Sequence, residues 1–220
     1  MGMNRARRWL AATGAIAALA LAALAGTALG SATATDQGPG DWVAWGRTPD
    51  NLRYSPLTDI TPDNAGQLGR AYSIDFRVVD PDVRIGQQSY PLAIDGVLYV
   101  TTNDANVFAL DGATGKIIWQ RKPTNKAVFK NFGVAANRGL AYCGGSLFIL
   151  QLDMKLVKID KDTGKELGFV ALNQDVPNSS VKYGYSETSA PICGNGKLYF
   201  GAAGSERGPR GWVMAYTTDL

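Results

Sequence analysis

Short apolar runs separated by polar punctuation occupy most of this chain, and few of them are long enough for a helix. The clearest unit runs from Gly96 to Trp119, GVLYVTTNDANVFALDGATGKIIW. Val97 to Thr102 is β-branched and aromatic, Asn103 to Asn106 is turn chemistry, Val107 to Asp111 is a second apolar run, and Gly112 to Lys116 turns into Ile117, Ile118 and Trp119. This pattern predicts three short antiparallel strands in succession. A meander of that size cannot bury its own apolar face, so it has to be stacked against others like it.

The chain repeats the unit. Gly96-Val97-Leu98-Tyr99, Gly145-Ser146-Leu147-Phe148 and Gly196-Lys197-Leu198-Tyr199 start 49 and 51 residues apart. Asp111-Gly112-Ala113-Thr114-Gly115-Lys116 returns 49 residues later as Asp160-Lys161-Asp162-Thr163-Gly164-Lys165. Repeats of about 50 residues with several strands each predict an all-β protein, a β-propeller of four-stranded antiparallel blades. Trp119, four residues past Gly115, is placed to dock on the neighbouring blade; Gly168 holds that position in the second repeat. The third copy stops at Ala215-Tyr216 before its own turn and closing strand, so residues 35–220 read as about three blades, the N-terminal part of a longer ring.

Ahead of the repeats, Asp41 to Phe76 reads as an opening segment. Thr61-Pro62-Asp63-Asn64 is placed to cap one short helical turn, and Ala71 to Phe76 has the character of a strand. Residues 1–34 do not belong to this fold. Arg5, Arg7 and Arg8, the apolar run Leu10 to Ala25 and the small-x-small Ala32-Thr33-Ala34 read as a secretory signal peptide, with a membrane anchor as the alternative. Cleavage would leave no stable membrane anchor and a periplasmic protein.

Removing that segment changes the charge picture. The 220 residues carry 22 basic and 19 acidic side chains, and the three lost arginines bring the two counts level, so nothing argues for nucleic acid. Histidine is absent, which excludes a Ser-His-Asp triad, a histidine-ligated zinc and a CxxCH haem attachment within these residues. Cys143 and Cys193 fall near equivalent strand starts of neighbouring repeats. That placement suggests a separation too large for a strain-free bridge, so two buried thiols are the expectation and a disulfide the alternative.

Three polar residues share one phase of the repeat. Gln88 lies ten residues before Leu98, Arg138 nine before Leu147 and Thr188 ten before Leu198. First strands line a propeller's axis, so equal phase implies convergence on one face, where a planar anion would find a guanidinium partner in Arg138. A loop arginine and two turn-capping side chains are the competing reading.

The third repeat also carries an excess. Gly96 to Ala109 and Gly145 to Lys158 are steps of 13 residues, but Gly196 to Ala215 is a step of 19. The insertion holds Gly201 to Gly208 around Glu206, a composition that brings backbone near a ligand and offers one hard oxygen to a cation such as Ca²⁺. A phosphate loop is the rival, but Pro209 and Gly211 stand where its helix would begin.

WGRTPDNLRYSPL, ALDGATGKIIW, NRGLAY, the TSAP of Thr188 to Pro191 and GAAGSERGPRGW together resemble the pyrroloquinoline quinone (PQQ) dependent alcohol dehydrogenases, exported eight-bladed propellers with tryptophan-docking motifs. The resemblance runs from about Asp41 to Tyr216. It implies that Arg138 binds a quinone carboxylate, Thr188 bonds the cofactor, Ala203, Gly204 and Ser205 offer backbone, and Glu206 ligates a Ca²⁺ or lanthanide ion. A small alcohol would be oxidised by proton abstraction and hydride transfer to PQQ, with a cytochrome c or a quinone as electron acceptor.

Two positions depart from the family pattern. Gln88 stands where members often carry Glu, and Phe132-Gly133 where many carry a vicinal Cys pair. The metal-binding Asn, the catalytic Asp and the stacking Trp would fall beyond Leu220, so no catalytic base is expected in this chain. A non-catalytic propeller scaffold of the cell envelope, or a propeller that binds an organic ligand without turnover, remain the alternative functions.

Overall fold

In a computed structural model, the structure describes residues 38–48, 50–81, 83, 87–123, 136–176, 178–179, 181–205 and 208–220. The predicted repeats are antiparallel sheets. The first is β1 (Leu92–Ile94), β2 (Val97–Thr101), β3 (Val107–Asp111) and β4 (Ile117–Arg121), paired in that order. The second is β5 (Ala141–Cys143), β6 (Ser146–Gln151), β7 (Lys155–Asp160) and β8 (Glu166–Ala171). The third holds β9 (Ile192–Gly194), β10 (Lys197–Gly201) and β11 (Val213–Thr217). The steps counted along the sequence are cross-strand pairs: Tyr99 faces Ala109, Phe148 faces Lys158 and Tyr199 faces Ala215. The six extra residues of the third repeat therefore lie between β10 and β11.

The first two sheets bury both faces, which explains the near-continuous apolar runs of their inner strands, whereas the third leaves Ile192, Tyr199 and Val213 exposed on one side. Leu147 and Ile149 of β6 join Tyr99, Val107 and Ala109 in a core between the first two sheets. Phe148 and Leu150, the alternate positions, join Leu198 and Phe200 between the second and third. Val100, Phe108 and Leu110 on the outer face of the first sheet are covered by Ile74, Phe76 and Val83.

The Asp-x-x-Thr-Gly turns lock the sheets laterally. The Asp111 carboxylate accepts from the Thr114 N–H and hydroxyl at 2.8 and 2.7 Å, and Asp160 does the same for Thr163 at 2.8 Å each. These bonds, the Thr side chain's foremost, hold both carboxyls below the usual carboxylate range. Gly115 and Gly164 close the turns at φ +73° and +72°. Trp119 lies on Gly164: a Cβ there would stand 2.6 Å from its ring, and the indole N–H donates to the Lys161 carbonyl at 3.1 Å. Tyr72 repeats the arrangement one sheet earlier, its ring over Gly115 and its hydroxyl donating to the Gly112 carbonyl at 3.0 Å. It precedes Trp119 by 47 residues, close to the repeat length.

Two expectations are corrected. Ala71 to Phe76 is not a strand: residues 71–75 run extended without a ladder, and Phe76–Val79 forms a helical turn, α1, with the Asp75 side chain capping the Arg77 N–H. Tyr72, Ile74 and Phe76 still alternate inward, so the period of 2 records burial on one side where no strand pairs alongside. Cys143 and Cys193 are a disulfide, with Cα atoms 5.6 Å apart. The sheets fan outward from their first strands, so β5 and β9 are neighbours and residues of near-equal phase on them come within bridging distance. The short helical turn of the opening segment falls at Ala65–Gln67, where the Asn64 side chain accepts from the Thr61 N–H at 2.7 Å. Among the described residues no helix is long and apolar enough to cross a membrane. The signal-peptide segment and Phe132-Gly133 lie outside the described residues.

Candidate functional site

Antiparallel order fixes which loops share an end of the stack. The chain approaches β1, β5 and β9 from one end, and the β2–β3, β6–β7 and β10–β11 connections turn at that same end. The Asp-x-x-Thr-Gly turns lie at the other. The three polar residues of common phase and the six-residue excess, which sequence spacing could only align, are therefore at one end of the sheets.

Arg138 and Thr188 meet there. The Arg138 N–H donates to the Thr188 carbonyl at 2.9 Å, and its guanidinium donates to the Thr188 hydroxyl. Among the described residues no carboxylate pairs with the Arg138 guanidinium, which is exposed. Asn137 beside it is buried and braced, its amide donating to the Leu150 carbonyl at 3.0 Å and its oxygen accepting from the Gly139 N–H at 3.0 Å. The positive side chain is thus carried on a fixed stem.

The third-repeat loop is tied to the same strand. Ala203 and Ser186 form an antiparallel bridge, and the Ala203 N–H donates to the Ser186 carbonyl at 3.1 Å. That donor is spent within the chain, so of the Ala203-Gly204-Ser205 backbone only the Gly204 and Ser205 amides lack a backbone acceptor among the described residues. Gly204 is required sterically: its φ is +96°, and a Cβ would stand 2.4 Å from the Gly184 carbonyl oxygen. Gln88 is exposed on the approach to β1 and makes no recorded contact with this pair, whereas Gln87 and Ser89 on either side donate to the Thr101 carbonyl at 3.2 and 2.7 Å. Glu206 lies outside the described residues, and among those described no three acidic or cysteine side chains gather as a metal cluster.

Glu187 has no counterpart in the sequence reading. It is fully buried between Ser186 and Thr188, both carboxyl oxygens lack a hydrogen-bond partner among the described residues, and burial pushes its pKa up to about 8. The sequence signal was a lone acid directly before Thr188, which spacing alone could not tell from a surface residue.

An exposed arginine with no carboxylate partner among the described residues, bonded to a threonine and with a glycine-shaped backbone loop tied to the same segment, fits a ligand rich in carboxylates and carbonyls. The fold defines consecutive blades of a β-propeller. The chain belongs to the PQQ glucose/ethanol/alcohol dehydrogenase β-propeller family, whose model matches residues 42–219. It is 36% identical over 186 residues, 84% of this chain and 24% of the other, to the dehydrogenase subunit of alcohol dehydrogenase (quinone) from Gluconacetobacter polyoxogenes. Among solved structures it resembles quinohemoprotein alcohol dehydrogenase from Comamonas testosteroni, with a TM-score of 0.71 at 29% identity over 81% of this chain and 26% of that one. It also resembles a europium-containing methanol dehydrogenase, with a TM-score of 0.69 at 32% identity, covering 82% and 30% of the respective chains. The chain spans about a quarter of the length of the curated relatives it matches.

Proposed function

We propose that this chain is the N-terminal part of an exported, periplasmic PQQ-dependent alcohol dehydrogenase, and that the end of the sheets carrying Arg138 and Thr188 holds the quinone. The observation that carries the reading is the exposed Arg138 guanidinium, which has no carboxylate partner among the described residues and donates to the Thr188 hydroxyl, while the Arg138 backbone N–H donates to the Thr188 carbonyl. Arg138 would hold a quinone carboxylate as a planar, permanently charged fork, and the Thr188 hydroxyl would fix the ring's position beside it. The Gly204 and Ser205 amides would face the ligand's oxygens, with the Ala203 amide holding their loop to Ser186. Gln88 would contribute a neutral amide from the approach to β1. Glu206 would offer a carboxylate to a Ca²⁺ or lanthanide ion. Bound there, PQQ would supply the two-electron acceptor for the hydride of a small alcohol, with a cytochrome c or a quinone as the expected acceptor of the electrons. The proton-abstracting base would lie beyond Leu220.

Titrating the complete protein with PQQ tests the reading. Arg138→Ala should weaken binding on the order of tenfold or more, because it removes a charge-assisted bond, and Thr188→Val should weaken it less. Failure of the complete protein to bind PQQ would return the chain to the envelope-scaffold reading. Glu206→Ala should abolish Ca²⁺- or lanthanide-dependent dye reduction with little change in Tm, and unchanged activity at limiting metal would place that side chain elsewhere. Intact mass of the exported protein should show loss of the first 34 residues.

A further inference from the structure

Glu187 sits where three segments of the site are joined. Ser186 before it is bridged to Ala203, and Thr188 after it is bonded to Arg138 through both backbone and side chain. The Ser186–Ala203 bridge places Glu187 opposite Ala202. The Gly201–Val213 pair, with the Ala202 N–H donating to the Trp212 carbonyl at 3.1 Å, places Ala202 opposite Trp212. Glu187, Ala202 and Trp212 therefore form one cross-strand row. Ala202 is in phase with Leu198 and Phe200, so the row faces the second sheet. The small Ala202 leaves the carboxyl and the indole on either side of it, and the indole N–H and the Ser189 hydroxyl are, like both Glu187 oxygens, buried without a partner among the described residues.

A charged carboxylate in that row would lack any compensating cation among the described residues. Among the described residues, the charged and titratable groups on the surrounding elements are Arg138, the Asp153–Lys155 ion pair of the β6–β7 turn, Lys182, Tyr183 and Tyr185 before Ser186, and Arg210 before β11. Among the described residues burial is the one cause of the shift at Glu187, and none of these groups offsets its charge. We propose that Glu187 is a positioning residue: held neutral in the seam between the second and third sheets, it latches the 186–188 strand to both Arg138 and Ala203, and opening of the latch is coupled to loss of its proton. The proposal rests on the quinone reading only for what the latch holds in place.

Hydrogen exchange on the complete protein without cofactor tests the latch directly. The Arg138 and Ala203 amides report it, and the β2–β3 amides of the first sheet serve as reference. The opened segment exposes a carboxyl with an ordinary pKa of 4.5, against about 8 when closed. Protection of the two reporter amides should therefore fall about 50- to 100-fold between pH 5 and pH 7 and level off above pH 8, while the reference amides do not follow. In Glu187→Gln, neutral at every pH, the reporter protection should be flat over the same range. A flat wild-type profile, or the same slope in Glu187→Gln, overturns the proposal. Should that variant not fold, the wild-type profile alone decides. Added PQQ should raise the reporter protection; its failure to do so with the pH profile intact would count against the quinone reading and leave the latch standing.

Discussion

Removing the disulfide is the sharpest test of how these blades are held together. Cys143 ends β5, Cys193 lies in β9, and the two are 50 residues apart in sequence. Opening a cross-link over a loop of that length restores to the unfolded chain an entropy worth about 4 kcal/mol at 25 °C. Cys143 is buried in the core between the second and third sheets, so Cys143→Ala avoids placing a hydroxyl there, and Cys193→Ser suits the exposed partner. Urea unfolding of the double variant should give a stability lower by about that amount and a larger m-value, because the unfolded chain is no longer cross-linked. A reductant should lower the wild type by the same amount and leave the variant unchanged. A difference under about 1 kcal/mol, or an equal effect of reductant on both, would refute the claim that this bridge restrains the unfolded chain. Such a staple also suits an oxidising compartment, in keeping with the proposed export.

Trp119→Ala should cost about 3 kcal/mol, the low end for so large a ring because it is only partly buried; an unchanged urea midpoint would remove the docking argument. Gly164→Ala should cost at least about 1–2 kcal/mol, since its φ of +72° disfavours a side chain and the new methyl would displace the Trp119 ring; a neutral effect in thermal unfolding would contradict the geometry. Glu187 binds its proton in the folded protein up to about pH 8 but in the unfolded chain only to about 4.5, so wild-type stability should rise as pH falls between these values. Glu187→Gln should flatten that slope and stabilise the protein at pH 7 by up to about 3 kcal/mol, and an identical slope in the two proteins would show the carboxyl to be ionised in the native state.

The strands, their order and the turns that join them were legible along the chain because they rest on local physics. Period-2 alternation, Asp and Thr bonded to the backbone three residues away, and glycines at positive φ all act within a few residues. The repeat carried this further: steps of 13 and 19 residues marked true cross-strand pairs, and Trp119 docks where its distance from Gly115 implied. Spacing also put Arg138 and Thr188 in one phase.

Tertiary structure decided what depends on distance between blades. The disulfide forms because the first strands are the closest neighbours in a fan of sheets, a fact that no separation along the chain contains. Tyr72 takes the docking role one sheet earlier, although the Asp-x-x-Thr-Gly turn that precedes Trp119 is missing before it. Ala71 to Phe76 has a strand's alternation without a strand's ladder, because burial on one side sets the pattern and pairing needs a neighbour. Glu187 is the clearest case. Its one-letter context is that of a surface acid, and only the row it shares with Ala202 and Trp212, on the side of the third sheet that faces the second, makes it a buried carboxyl.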